Sequence, residues 1–257
     1  MHQNYVSCRP GSYGKFREHA FAHLASIGVR HLELGAPPPE QLPALLKTLA
    51  GHGLSVASLE GRFNLAAADR LAALPPQIEA AKAFGAKLIF LSVKAGDLPR
   101  PEAYARLREL GDTLAPHGLT AILETHPDLI TNGSIAAQTM RAVNHPNVRV
   151  NFDTANVYYY NEGIDGVTEL EQALPWIAGV HLKETNGKPK TWFFPALGEG
   201  IVNFPAIFAR LAARRFIGPY TLEIEGCQGD NLDQQQTLDR VAKSVAYLRA
   251  HGLIPAA

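Results

Sequence analysis

Glu124, Asp153, His181 and Glu223 are the residues of this chain whose types and spacing carry chemistry. Each lies near the C-terminal end of a short β-branched run, where side chains alternate between faces with a period of two. In the run at 148–153, Val148, Val150 and Phe152 form one apolar face, which leaves Arg149, Asn151 and Asp153 on the other. At 178–183, Val180 and Leu182 oppose Gly179, His181 and Lys183. At 219–225, Tyr220, Leu222 and Ile224 oppose Thr221, Glu223 and Glu225. The run at 119–124 places Thr120, Ile122 and Glu124 together, with His126 continuing that phase. Consecutive strands therefore aim three carboxylates and an imidazole the same way. Converging carboxylates repel and lose hydration, which raises their pKa values and costs stability. A divalent cation relieves both problems. Mn2+, Mg2+ or Co2+ suits this donor set best, and Zn2+ or Fe2+ is also compatible. Unrelated salt-bridged loop residues are the bland alternative, against which the shared phase and strand order argue.

The elements that must position these residues alternate along the chain. Strands are expected at 4–8, 29–34, 54–60, 87–93, 119–124, 148–153, 178–183 and 219–225. Helical patterns fall at 13–26, 39–51, 67–84, 101–115, 134–143, 167–174, 204–214 and 232–251. Gly28, Gly51-His52-Gly53, Gly85, Gly118 and Gly218 separate helix from strand, where helix-ending glycines are expected. Eight strand–helix units in one chain predict a (β/α)8 TIM barrel, an α/β fold, as a single domain over 1–257. A doubly wound sheet is the competitor, but the glycine-rich dinucleotide fingerprint is missing after the first strand. Active sites of such barrels sit at the C-terminal ends of the strands, where the four residues fall.

Composition narrows the class further. The 257 residues are 46% hydrophobic and 19% charged, enough for a sizeable core. Lys+Arg and Asp+Glu both number 24, so the net charge is zero and no nucleic acid partner is expected. Two cysteines, Cys8 and Cys227, suit a reducing cytosol. No signal peptide and no membrane-spanning run is read, so a cytoplasmic location is expected.

Leu123-Glu124-Thr125-His126, Phe152-Asp153-Thr154-Ala155-Asn156, His181-Leu182-Lys183-Glu184, Leu197-Gly198-Glu199-Gly200 and Leu222-Glu223-Ile224-Glu225 together resemble the xylose isomerase-like sugar phosphate isomerase/epimerase family. The resemblance implies a barrel that binds one divalent metal ion through Glu124, Asp153, His181 and Glu223. Glu225 shares the inward phase and is the alternative to Glu223 as the last ligand; otherwise it faces substrate or pairs with a loop lysine. The family's chemistry implies proton transfer on a small-molecule sugar, sugar phosphate or polyol through an enediolate, with Glu124 and Glu223 as the catalytic carboxylates. Two acids on opposite sides of the substrate permit epimerisation, and one acid shuttling between carbons gives isomerisation.

His126, Lys183, Glu225 and Asn156 are the candidate substrate-binding residues. Lys183 either holds a substrate oxyanion or neutralises carboxylates. Asn156 stands where several ketose epimerases of the family carry histidine, a departure from that subgroup. His31 and Glu33 share an inward phase in the second strand, and Cys8 reads as a small buried residue. Tyr158-Tyr159-Tyr160 reads as interface or loop packing, or as one ring lining the pocket. The aromatic loop 188–194 reads as a substrate cover or a packing patch, with Lys188 and Lys190 as sources of positive charge. A metal-dependent dehydratase of a keto-inositol or dehydroshikimate-like acid is the alternative enzyme, and a non-catalytic sugar-binding protein the alternative of another class. An AP endonuclease is disfavoured by zero net charge and missing histidines. Family resemblance implies a homo-oligomer, dimer or tetramer.

Overall fold

A computed structural model describes residues 5–255. Eight parallel strands close a barrel: β1 (Tyr5–Cys8), β2 (His31–Gly35), β3 (Ser55–Glu60), β4 (Leu88–Leu91), β5 (Thr120–Glu124), β6 (Val148–Asp153), β7 (Ile177–Leu182) and β9 (Pro219–Leu222), with β9 pairing back onto β1. Each expected strand is present, because the period-two apolar face of each run is buried against the outer helices. Val148, Val150, Phe152, Val180, Leu182, Tyr220 and Leu222 are all at most 1% exposed. The barrel interior is polar: Ser7 and Thr221 hydroxyls meet at 2.6 Å, and Ser58 Oγ donates to Glu33 Oε2 at 2.6 Å.

The helical layer comprises α1 (Ala20–Ser26), α2 (Leu42–His52), α3 (Leu74–Phe84), α4 (Arg100–Leu114), α5 (Gly133–Val143), α6 (Asn156–Tyr159), α7 (Gly166–Ala173), α8 (Phe204–Ala213) and α9 (Gln234–Ala250). Three differences from the sequence expectation have local causes. The expected helix at 13–26 starts as 3-10 turns over Pro10–His19, broken by the positive φ of Gly14, and is α-helical only in α1. The expected helix at 67–84 is α-helical from Leu74, because Pro75 and Pro76 fit a first turn but not a helix interior. After α8 the left-handed residue is Arg215 rather than Gly218; a Cβ at Gly218 would lie 2.6 Å from the Ala178 carbonyl, so close approach explains that glycine.

The shortest elements went unread in the sequence, among them β8 (Phe193–Phe194), β10 (Gly226–Cys227) and the one-turn α6. β8 pairs antiparallel with β10, tying the aromatic loop after β7 to the loop after β9. Two-residue strands carry no periodicity to read. Among the described residues, no helix is long and apolar enough to cross a membrane.

Candidate active site

At the C-terminal end of the barrel, Glu124, Asp153, His181 and Glu223 each offer a ligand atom, and these atoms lie within 4.8 Å of one another, all buried. Parallel register brings them level: β6 and β7 pair Asp153 with His181. Glu223 lies just past β9, held by its N–H donating to the Leu182 carbonyl at 3.2 Å.

Asp153 has the most constrained carboxylate of the four. Its Oδ1 accepts from the Ala155 and Asn156 backbone N–H groups, both at 2.8 Å. Its Oδ2 is fully buried with no hydrogen-bond partner. Burial, with the Glu223 and Glu124 charges adding to it against Lys183, pushes the carboxyl up to about 8. An orphaned, solvent-excluded carboxylate oxygen facing two more carboxylates and an imidazole is the arrangement a cation completes. The donor set and the orphaned oxygen therefore fit a divalent ion.

His181 is fixed from both ring nitrogens. Nδ1 faces Glu223 Oε2 at 3.1 Å and Glu124 Oε1 at 3.5 Å, while Nε2 meets Glu33 Oε1 at 3.0 Å. Burial opposes its protonation, but the Glu33 and Glu223 carboxylates outweigh that and hold its pKa well above the usual histidine value. A carboxylate on the far nitrogen is the usual means of fixing a ligating histidine's tautomer and orientation.

Around this cluster the remaining expected residues converge. Lys183 Nζ pairs with Glu225, donates to Asn156 Oδ1 at 3.3 Å and Glu223 Oε2 at 3.4 Å, and stands 4.4 Å from the Phe194 ring centroid. Glu225 thus pairs with the residue after β7 rather than with a loop lysine. Burial pushes the Glu225 carboxyl up, against the pull of Lys183. Asn156 Nδ2 donates to Glu124 Oε1 at 3.4 Å. His126 Nδ1 lies 3.1 Å from Glu124 Oε2 and hydrogen-bonds Ser92; burial lowers its pKa, so it is neutral near pH 7. Burial opposes ionisation of Glu223, yet Lys183, His181 and Arg9 hold its carboxyl well below the ordinary range.

Arg9 is a site residue that the sequence reading missed, as are Glu60, Arg62 and Lys94 of the cavity lining. Following β1, Arg9 contacts Glu223, reaches Glu60 at 2.7 Å and Glu33 at 3.6 Å, and lies 5.3 Å from the Phe90 ring centroid. The signal was available: Arg9 shares the inward phase of Ser7. Strand one is so short that this phase rests on a single preceding residue. Cys8 is fully buried, and burial pushes its thiol up to about 12, in keeping with a packing role.

Glu124 and Glu223 open onto a cavity of about 750 Å3, while Asp153 and His181 are fully buried and do not line it. Glu124, His126, Asn156, Lys183, Glu223 and Glu225 all line it. Its walls are aromatic: Tyr159, Tyr160, Trp192, Phe194, Phe63 and Phe90. Two of the three consecutive tyrosines therefore face the cavity, whereas Tyr158 OH accepts from Gly166 N–H at 2.9 Å. Lys188 and Lys190 are not among the lining residues. Glu184 anchors the loop that carries Trp192 and Phe194, accepting from the N–H groups of Gly198 at 3.0 Å and Val202 at 3.1 Å.

Comparison with known proteins agrees with this architecture. The chain is 29% identical over 124 residues to a 3-dehydroshikimate dehydratase of Bacillus anthracis, an alignment spanning 42% of this chain and 44% of that enzyme. It is 26% identical to an L-ribulose-5-phosphate 3-epimerase of Salmonella paratyphi C over 85% of this chain and 81% of that one. Among solved structures, a D-allulose 3-epimerase from Methylomonas sp. in complex with D-allulose superposes with a TM-score of 0.75 at 19% identity, covering 97% of this chain and 98% of that one. A family model described as xylose isomerase-like TIM barrel matches residues 21–251. The chain belongs to the xylose isomerase-like TIM barrel family.

Proposed function

We propose that the protein is a divalent-metal-dependent isomerase or epimerase of a small sugar, sugar phosphate or polyol. The observation that carries this reading is the unpartnered Asp153 Oδ2 among Glu124, His181 and Glu223, of which Glu124 and Glu223 line the cavity. Glu124, Asp153, His181 and Glu223 would hold the ion, which when bound polarises a substrate carbonyl and so acidifies the adjacent C–H. Mn2+, Mg2+ or Co2+ fits three hard carboxylates and one imidazole.

Glu124 and Glu223 are the proposed proton carriers. Both line the cavity, and both approach the same nitrogen of His181. One carboxylate removes a carbon-bound proton and the other returns one. Proton return to the same carbon from the other side inverts it; return to the neighbouring carbon isomerises the sugar. Positioned acid–base groups contribute about 10²–10⁴-fold in rate. Lys183, engaged by Glu225, Asn156 and Glu223, neutralises the carboxylates around it, and neutral His126 adds a ring nitrogen at the cavity wall. The aromatic walls exclude water and present rings to the apolar C–H faces of a sugar.

The similarity to a dehydratase keeps a second outcome open, in which the same proton abstraction is followed by loss of hydroxide. Incubation of the Mn2+-loaded protein in D2O with ketoses, their phosphates and 3-dehydroshikimate, read by mass spectrometry, separates the two. Deuterium uptake at constant heavy-atom formula identifies the isomerase or epimerase, and loss of one water identifies the dehydratase. Neither change with any compound would count against enzymatic proton transfer and favour a sugar-binding role. Glu124→Gln and Glu223→Gln are each expected to slow exchange by about 10²–10⁴-fold.

A further inference from the structure

The positive charges lining the cavity fall into two groups. At the floor, Arg9 and Lys183 are saturated by carboxylates: Arg9 by Glu33, Glu60 and Glu223, Lys183 by Glu225, Glu223 and Asp153. At the rim, Arg62 and Lys94 line the same cavity, and among the described residues neither side chain has an ion-pair or hydrogen-bond partner.

Both rim cations stand on clamped backbone. Arg62 follows β3, and its N–H and C=O are both bonded by the side chain of the buried Gln77 of α3, at 2.7 and 2.9 Å. Gly61 lets the chain pass this close: a Cβ there would lie 2.6 Å from Ile89 and 2.7 Å from Gln77. Lys94 follows β4 in a loop whose Ala95 and Gly96 N–H groups both donate to the Asp128 carboxylate at 2.9 Å, with Arg100 bracing Asp128 at 3.1 Å. β3 and β4 are adjacent strands, Glu60 level with Phe90, so the two loops emerge side by side.

We infer that Arg62 and Lys94 form an oxyanion subsite, so that the substrate carries a phosphate or carboxylate at the end remote from its reacting carbons. This inference rests on the proton-transfer reading above and deepens it by naming the substrate class. The cavity itself enforces the orientation. Buried Glu124 and Glu223 line its deep part and repel an anion, while the exposed Arg62 and Lys94 offer two unneutralised cations on preorganised backbone. A polyol chain bearing one anionic end satisfies both, its neutral hydroxyl and carbonyl end reaching the floor. A guanidinium and an ammonium together match an oxyanion by forked donation and point charge.

Calorimetric titration of the Mn2+-loaded protein with glycerol, glycerate and glycerol 3-phosphate tests the subsite, since these probes share a three-carbon skeleton and differ at one end. Glycerate or glycerol 3-phosphate is expected to bind at least about tenfold tighter than glycerol at low ionic strength, and the margin shrinks with added salt. Which of the two gains the larger margin distinguishes carboxylate from phosphate as the substrate's anion. The Arg62→Gln/Lys94→Gln double variant is expected to lose that margin while keeping its melting temperature and its affinity for glycerol. In Asp153→Ala the anion margin is expected to remain, so failure of the metal centre and failure of the subsite give different results. An anion margin unchanged in the double variant, or no margin in the parent protein, would overturn the inference.

Discussion

Asp153 sets the energetic problem that its neighbours answer. Its raised carboxyl means that, without a cation, folding favours the protonated form. The sign follows from linkage: a carboxyl that ionises at 3.8 when unfolded and at about 8 when folded contributes stability present at low pH and lost as pH rises towards 8. The melting temperature of the metal-free protein is therefore expected to fall between about pH 4 and 8 relative to Asp153→Asn, which has no such proton to lose. A parallel pH dependence in the two proteins would show that Asp153 is not held protonated. At His181, Glu33 acts on the nitrogen opposite the cluster. Glu33→Gln is expected to weaken divalent-metal affinity by about 10–100-fold, measured by competition with a chelating dye, while leaving the barrel folded. Unchanged affinity would remove Glu33 from the orientation of the ligand.

Among the elements, the loop from β7 to α8 contributes Trp192 and Phe194 to the cavity's aromatic wall. Glu184 fastens it at Gly198 and Val202, and β8 fastens its middle to β10. Glu184→Ala leaves the buried Val202 N–H and the Gly198 N–H without their carboxylate acceptor and is expected to cost about 1–3 kcal/mol in denaturant unfolding. It should also raise the fluorescence mobility of Trp192. A variant as stable as the parent, with Trp192 equally ordered, would show that the anchor is redundant.

Strand phase explains how much of the site was legible. In β6 and β7, apolar residues at alternate positions determine which way Asp153 and His181 point, whatever the surroundings. The same alternation carried through Leu222 and Ile224 to orient Glu223 and Glu225, although hydrogen-bonded strand ends at Leu222. Pairing partners were not legible, because they depend on packing across the barrel. Lys183 engages Glu225 from the neighbouring strand end, and Glu184 reaches the backbone of Val202. Arg9 was missed for lack of a long run to phase it, and which tyrosines of 158–160 line the cavity was not readable because α6 is one turn long and gives no readable face. The helix starts at 20 and 74 depended on where Gly14 and the Pro75-Pro76 pair interrupt the pattern.

Across the whole molecule, a chain of zero net charge is strongly polarised at one end of its barrel. Six carboxylates, Glu33, Glu60, Glu124, Asp153, Glu223 and Glu225, converge there upon Arg9 and Lys183, with only Arg62 and Lys94 as further permanent cations on the cavity. That excess is tolerable because two histidines share the space and because a divalent ion can enter it. Elsewhere the carboxylates lie mostly at the surface, so the imbalance belongs to this end of the barrel. Metal loading is therefore expected to raise the melting temperature, by about 2.7 kcal/mol of added stability at a free-ion concentration 100 times the dissociation constant.

The most direct measurement is elemental analysis of the purified protein after divalent-ion loading and gel filtration, beside Asp153→Ala. A metal centre made by Glu124, Asp153, His181 and Glu223 predicts a single ion per chain in the parent and its loss in the variant. No bound ion in the parent, or an ion retained undiminished in the variant, would contradict it.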